Sequence, residues 1–155
     1  MSNLYQNLHT LLHQVGTFQF SDLRRYSAAE IRTTIQELMN EDRVDLAVAL
    51  GEAGSSLYPR SEDMLSITSL LAATEQEWTL AIERLTELLE IQGANAQPFS
   101  YLMLTRCYRC DLDPSAALQT VRKGLEAYPD DVALQEQLDE LRAYAEHAFA
   151  GVAAD

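Results

Sequence analysis

Two cysteines three residues apart, Cys107 and Cys110, form the most reactive pairing in the chain. On a helix that spacing turns both thiols toward one side, and His9 and His13, four apart, do the same for two imidazoles. Together they are the donor types of a tetrahedral zinc site. The two pairs lie far apart in sequence, however, and no second Cys-x-x-Cys accompanies the first. A redox Cys-x-x-Cys also belongs at a helix N-terminus, where the helix dipole lowers the thiol pKa. This one falls at the end of a helical stretch. The expectation is therefore two small side chains in a helix, with no metal and no cofactor.

The remaining chemistry-bearing residues read the same way. No glycine-rich phosphate loop, G-x-S-x-G or H-E-x-x-H motif occurs. His9 and His13 sit on the polar side of an apolar stripe, and His147 lies close to the C-terminus. Acidic pairs such as Glu87 with Glu90, or Asp139 with Glu140, read as solvated helix faces. No catalytic residue is assigned, and the chain is expected not to be an enzyme.

Composition narrows the partners. In 155 residues, 24 Asp and Glu oppose 11 Lys and Arg, for a net charge of −13. Phosphate backbones repel such a surface, so nucleic-acid binding is not expected. No apolar run is long enough to span a bilayer, and the first residues have neither a basic region nor an unbroken apolar stretch. The expectation is a cytoplasmic protein that does not engage membranes, organised as a single domain over residues 1–155.

The apolar residues recur at helical spacing almost throughout. Leu4, Leu8, Leu11, Leu12 and Val15 make a first stripe, and a linker follows to Tyr26 with room for a short helical turn. Ser27-Ala-Ala-Glu30 is a capping box that opens a helix to about Asn40. Another runs from about Arg43 to Leu57, where Tyr58-Pro59 stops it. Ser61 caps the next, Trp78 to Ile91 follows, and Pro98 and Pro114 stand at first helical positions. Asp130 is expected to open a last helix that caps the fold over residues 130–150. The count is about eight helices and no strand.

These helices form a series. Ala47 is followed seven residues later by Gly54 and then by Pro59; Ala117, Gly124 and Pro129 repeat that spacing. Units starting near 28, 62 and 98 are 34 and 36 residues apart, the range of helical repeat arrays. Leu104, Tyr108, Ala117, Val121, Gly124 and Pro129 in the third unit, with Ala47, Gly54 and Pro59 in the first, carry a resemblance to the tetratricopeptide repeat family. Leu65, Ala72, Ala81 and Leu85 are compatible in the second. The resemblance covers residues 28–129 and implies an all-α superhelical array of three antiparallel helix hairpins with an additional helix at each end. Small residues at Ala47, Gly54, Ala81, Ala117 and Gly124 suit it, because they let helix backbones approach closely.

The resemblance also implies a function: the first helix of each hairpin lines a concave groove that binds a partner helix or extended peptide. Carried over by position, the groove residues are Arg32, Gln36, Met39, Ile67, Leu70, Phe99, Met103, Arg106 and Arg109. Aliphatic anchors beside guanidiniums suit a protein segment carrying apolar and carboxylate groups. The lysine–asparagine–arginine clamp of the chaperone-binding members is not matched by Arg32, Gln36, Ile67, Phe99 and Met103. Size, acidity and repeat number resemble the small chaperones and apparatus proteins of bacterial type III secretion. The alternative is a self-assembling scaffold or homodimer, formed through the first-helix face Leu4, Leu8, Leu11 and Leu12 or through an array end.

Overall fold

A computed structural model describes residues 3–14 and 20–153, with side chains described for 3–8 and 22–151. Val15 and the side chains of His9, Leu11, Leu12 and His13 lie outside the described residues. The described residues form eight α-helices and no strand: α1 (Asn3–Gln14), α2 (Ala28–Asn40), α3 (Val44–Leu57), α4 (Glu62–Thr74), α5 (Trp78–Gln92), α6 (Pro98–Cys110), α7 (Pro114–Ala127) and α8 (Val132–Ala153). Short 3-10 segments occupy Phe20–Arg25 and Gly93–Asn95.

Several helix starts have a local cause. The Ser27 hydroxyl accepts from the Glu30 N–H at 3.3 Å, and the Glu30 carboxylate accepts from the Ser27 N–H at 2.8 Å, the reciprocal pair of a capping box. The Ser27 backbone N–H and, after it, the Ser27 hydroxyl, which donates to the same carboxylate at 2.9 Å, hold the Glu30 carboxyl below its usual pKa. Asp113 accepts from Ala116 N–H at 3.0 Å ahead of Pro114. The last helix is capped one residue later than expected: Asp131, not Asp130, accepts from the Leu134 N–H at 2.9 Å.

The turns inside the hairpins repeat in detail. Asp42, Gln76 and Leu112 follow α2, α4 and α6 with φ of 59°, 61° and 61°. In each, the next N–H reaches back five residues: Arg43 to Leu38 at 2.8 Å, Glu77 to Ala72 at 2.8 Å, and Asp113 to Tyr108 at 2.9 Å. This Schellman geometry satisfies carbonyls that the helix end would leave unpaired. None of the three left-handed residues is glycine.

The chain divides into two compact units, Met1–Glu77 and Trp78–Asp155, and the boundary falls between α4 and α5. In the first, α2 packs on α3 and α4, and α1 packs on α2. Its core joins Leu4, Tyr5 and Leu8 to Leu23, Ile31, Ile35, Leu38, Ala47, Leu50, Met64, Ile67 and Leu71. In the second, α6 packs on α5, α7 and α8. Ala117, Val121, Leu134 and Leu141 centre one core cluster there, with Tyr101, Leu102 and Tyr108 half-buried around it.

The small residues do what their spacing implies. Ala47, Ala81 and Ala117 are fully buried. A Cβ on Gly54 would lie 2.6 Å from the Met64 Cε and 3.0 Å from the Ile31 Cγ2. A Cβ on Gly124 would lie 2.9 Å from the Tyr101 Cβ. Neighbouring helices occupy the space that any larger residue would need.

Candidate functional site

The residues expected to line a groove divide between the two units. On the first unit, α2 and α4 sit side by side, and the Arg32 guanidinium bridges them to the Asp63 carboxylate at 3.2 Å. Gln36 is exposed and donates to the Asn40 side-chain oxygen at 3.3 Å. Met39 and Leu70 are half-buried, packed on the core with an edge toward solvent. Ile67 is a correction: it is 4% exposed and belongs to the core, because its side of α4 faces the packed helices. The first unit therefore offers a polar face, Arg32 and Gln36, flanked by Met39 and Leu70.

On the second unit, α6 carries Phe99, Met103 and Arg106 at helical spacing on one side. Phe99 is 53% exposed, Met103 is half-buried and Arg106 is exposed. Arg109 behaves differently. Its guanidinium donates to the Gln137 side-chain Oε1 at 2.6 Å and pairs with Glu140 at 2.5 Å. Both partners belong to α8, so Arg109 fastens the last helix to α6 and is not an open groove cation. Gln137 is buried, and Arg109 is what satisfies its side-chain oxygen.

Where α6, the start of α7 and α8 meet, the second unit has a cleft of ≈ 330 Å³ lined by Arg106, Arg109, Leu112, Pro114, Leu141 and Tyr144 among others. Of these, sequence reasoning singled out only the arginines as site residues. A signal for Leu112 exists: Asp42 and Gln76 hold the equivalent turn positions, whereas the third turn carries an 86% exposed leucine.

The cysteines do not form a reactive pair. Cys107 is buried and Cys110 is exposed, so one helix turn separates a core side chain from a surface one. Burial pushes the Cys107 thiol up to about 11, and the neighbouring Cys110 adds to the shift. Among the described residues no group of three or more His, Cys, Asp or Glu side chains is placed to hold a metal ion. No helix among them is long and apolar enough to cross a membrane.

The described part of the first-helix face, Leu4 and Leu8, is packed within the chain. Leu4 is 1% and Leu8 6% exposed, and both are spent on the first unit's own core. Tyr5, beside them, donates its hydroxyl to the Glu41 carboxylate, and that bond raises the phenol pKa. Pairing two copies through Leu4 and Leu8 would require α1 to leave α2.

No family model and no curated protein matches the sequence. Solved structures do. MamA (residues 41 to the end) from Desulfovibrio magneticus RS-1 superposes with a TM-score of 0.69 at 15% identity, over 93% of this chain and 85% of that one. The Sgt2 TPR domain from Aspergillus fumigatus gives 0.70 at 16% identity, over 81% and 83%. Acl4, titled an assembly chaperone of RpL4, gives 0.60 at 15% identity, over 97% of this chain and 59% of that one. With the repeated turns, caps and glycine contacts, these likenesses establish that the chain has a tetratricopeptide-type helical repeat fold.

Proposed function

We propose that this protein is a non-catalytic protein-binding module that holds a segment of another protein on the first-helix faces of its hairpins. The observation that carries the reading is α6, where solvent-exposed Phe99 and Arg106 flank half-buried Met103 on one side of the helix. Arg106 has no ion pair among the described residues, unlike Arg109 one turn later. An apolar anchor beside an unpaired guanidinium suits a peptide that presents an aliphatic or aromatic side chain next to a carboxylate or a backbone carbonyl. Gln36, Met39 and Leu70 supply a second mixed polar and apolar face on the first unit, where the Arg32 guanidinium is already paired with Asp63.

A chaperone role is the finer form of this reading. Acl4 is titled an assembly chaperone, and the net charge of −13 would keep a complex with an aggregation-prone segment soluble. Size, acidity and repeat number fit a cytoplasmic chaperone or apparatus protein of type III secretion. The test is affinity capture from the native cell extract with wild type, Phe99→Glu/Arg106→Glu and Leu70→Glu, each checked for helicity by circular dichroism. Loss of the same partner from helical variants supports the reading. Retention of every partner by all variants overturns it.

A further inference from the structure

Only half of α8 is packed. Leu134, Gln137 and Leu141 are buried where the helix meets α6 and α7, whereas every residue from Arg142 to Gly151 is exposed. That stretch carries two aromatic side chains in water, Tyr144 at 65% and Phe149 at 76% exposure. A helical stretch of this length gains little from backbone hydrogen bonding alone, and here an aromatic side chain stands exposed on either side of it. At its base lies the cleft walled by Arg106, Leu112, Leu141 and Tyr144. Leu112 is unusual there on two counts: it holds a left-handed backbone that leucine disfavours, and it is almost wholly in solvent.

We infer that this end of the protein is a homodimer interface, in which the projecting half of α8 from a second copy lies in the cleft and receives the first copy's helix in return. The surface is self-complementary, as a two-fold contact requires. One side of it, on α6 and the following turn, offers Arg106 and Leu112; the other, on α8, offers Phe149 and the exposed carboxylate of Glu146. Among the described residues Arg106 has no ion pair while Arg109 already pairs with Glu140, so the cleft retains one positive charge for an incoming Glu146. The apolar strip also continues an existing seam: Leu134, Leu141 and Tyr144 follow at helical spacing, and the first two are already packed.

A fully buried aromatic removes about 150–250 Å² from water, so Tyr144 and Phe149, 65% and 76% exposed, release about 400–700 Å² counted over both copies. The Leu112 side chains, 86% exposed, and the alanines of α8 add to this, which places the contact at the small, weak end of the interface range, below ~1,200 Å². The net charge of −13 opposes approach at long range, so the contact depends on apolar burial and is measured at physiological ionic strength.

The experiment is sedimentation equilibrium of the full chain across a micromolar concentration series, with circular dichroism on each variant. Wild type is expected to show a monomer–dimer equilibrium, and Phe149→Glu or Leu112→Asp to raise the dissociation constant about tenfold or more with helicity kept. Arg106→Glu is expected to weaken the dimer, and adding Glu146→Arg to restore it. A wild type that stays monomeric at high micromolar concentration overturns the inference. So does a dimer indifferent to Phe149→Glu and Leu112→Asp, or a ladder of higher oligomers. Failure of Glu146→Arg to rescue Arg106→Glu overturns the assignment of that charge pair. Arg106 serves both readings, so they are separated elsewhere: Leu112→Asp and Phe149→Glu are expected to weaken the dimer and keep partner capture, and Phe99→Glu alone is expected to do the reverse.

Discussion

The Tyr58 hydroxyl donates to the main-chain carbonyl of Tyr26 at 2.7 Å, joining the end of α3 to the residue just before the α2 cap. The second unit repeats the bond 70 residues on, where Tyr128 donates to the Ala96 carbonyl at 2.6 Å. Each tyrosine follows its helix at the C-cap and precedes a proline, so the same side chain that ends the hairpin also ties it to its start. Tyr58→Phe and Tyr128→Phe keep the ring and remove only the donor. Each is expected to cost about 1 kcal/mol, read as a lower urea midpoint at unchanged slope.

Glycine to alanine inside an exposed helix usually stabilises a protein by roughly 0.5–1 kcal/mol. At Gly54 and Gly124 the sign reverses, because the added methyl meets a neighbour, at a cost of about 1–3 kcal/mol for overpacking. Gly124→Ala is expected to be the worse of the two. Its methyl meets the Tyr101 Cβ, which is fixed to the backbone, whereas at Gly54 the nearest atom is the flexible end of Met64. At Gly151 nothing lies within 4 Å, so Gly151→Ala is expected to stabilise the end of α8. Thermal unfolding of the three variants gives the order.

The two cysteines are expected to differ sharply toward a thiol reagent. At pH 8 Cys110 reacts in the folded protein, and Cys107 reacts only on unfolding, because it is buried and its thiol is held protonated. The raised pKa also sets a direction. Folding favours the neutral thiol, so this contribution to stability is full below pH 9 and is lost as pH rises from 9 to about 11. Cys107→Ala is expected to flatten that alkaline limb, measured as the urea midpoint against pH.

The sequence carried the architecture because its signals were local. Ser27-Ala-Ala-Glu30, Pro98, Pro114 and the two Tyr-Pro pairs each mark a boundary by the conformation of one or two residues, and the helices start and stop there. The Ala47–Gly54 and Ala117–Gly124 spacings revealed close helix contacts because only small side chains permit them. The site was less legible. Carrying groove positions over by repeat number placed Ile67 in the open, yet which side of α4 is covered depends on its packing with α2 and α3. Arg109 read as a groove cation because its partners, Gln137 and Glu140, lie 28 and 31 residues away and nothing local pairs them. The first-helix leucines formed a clean stripe, but a stripe states that a face is buried, not whether the same chain or another covers it.

The latches and turns described above all connect residues of one hairpin or its immediate neighbour, and the core of the first unit is drawn from residues no later than Leu71. A nascent chain therefore carries everything this core needs before Trp78 is added. At about 5–20 residues per second, synthesis of the following 78 residues takes about 4–16 s. Helical domains built from such short-range contacts fold in microseconds to milliseconds. The amino-terminal unit is thus expected to acquire its native packing during translation, long before the carboxy-terminal helix is complete.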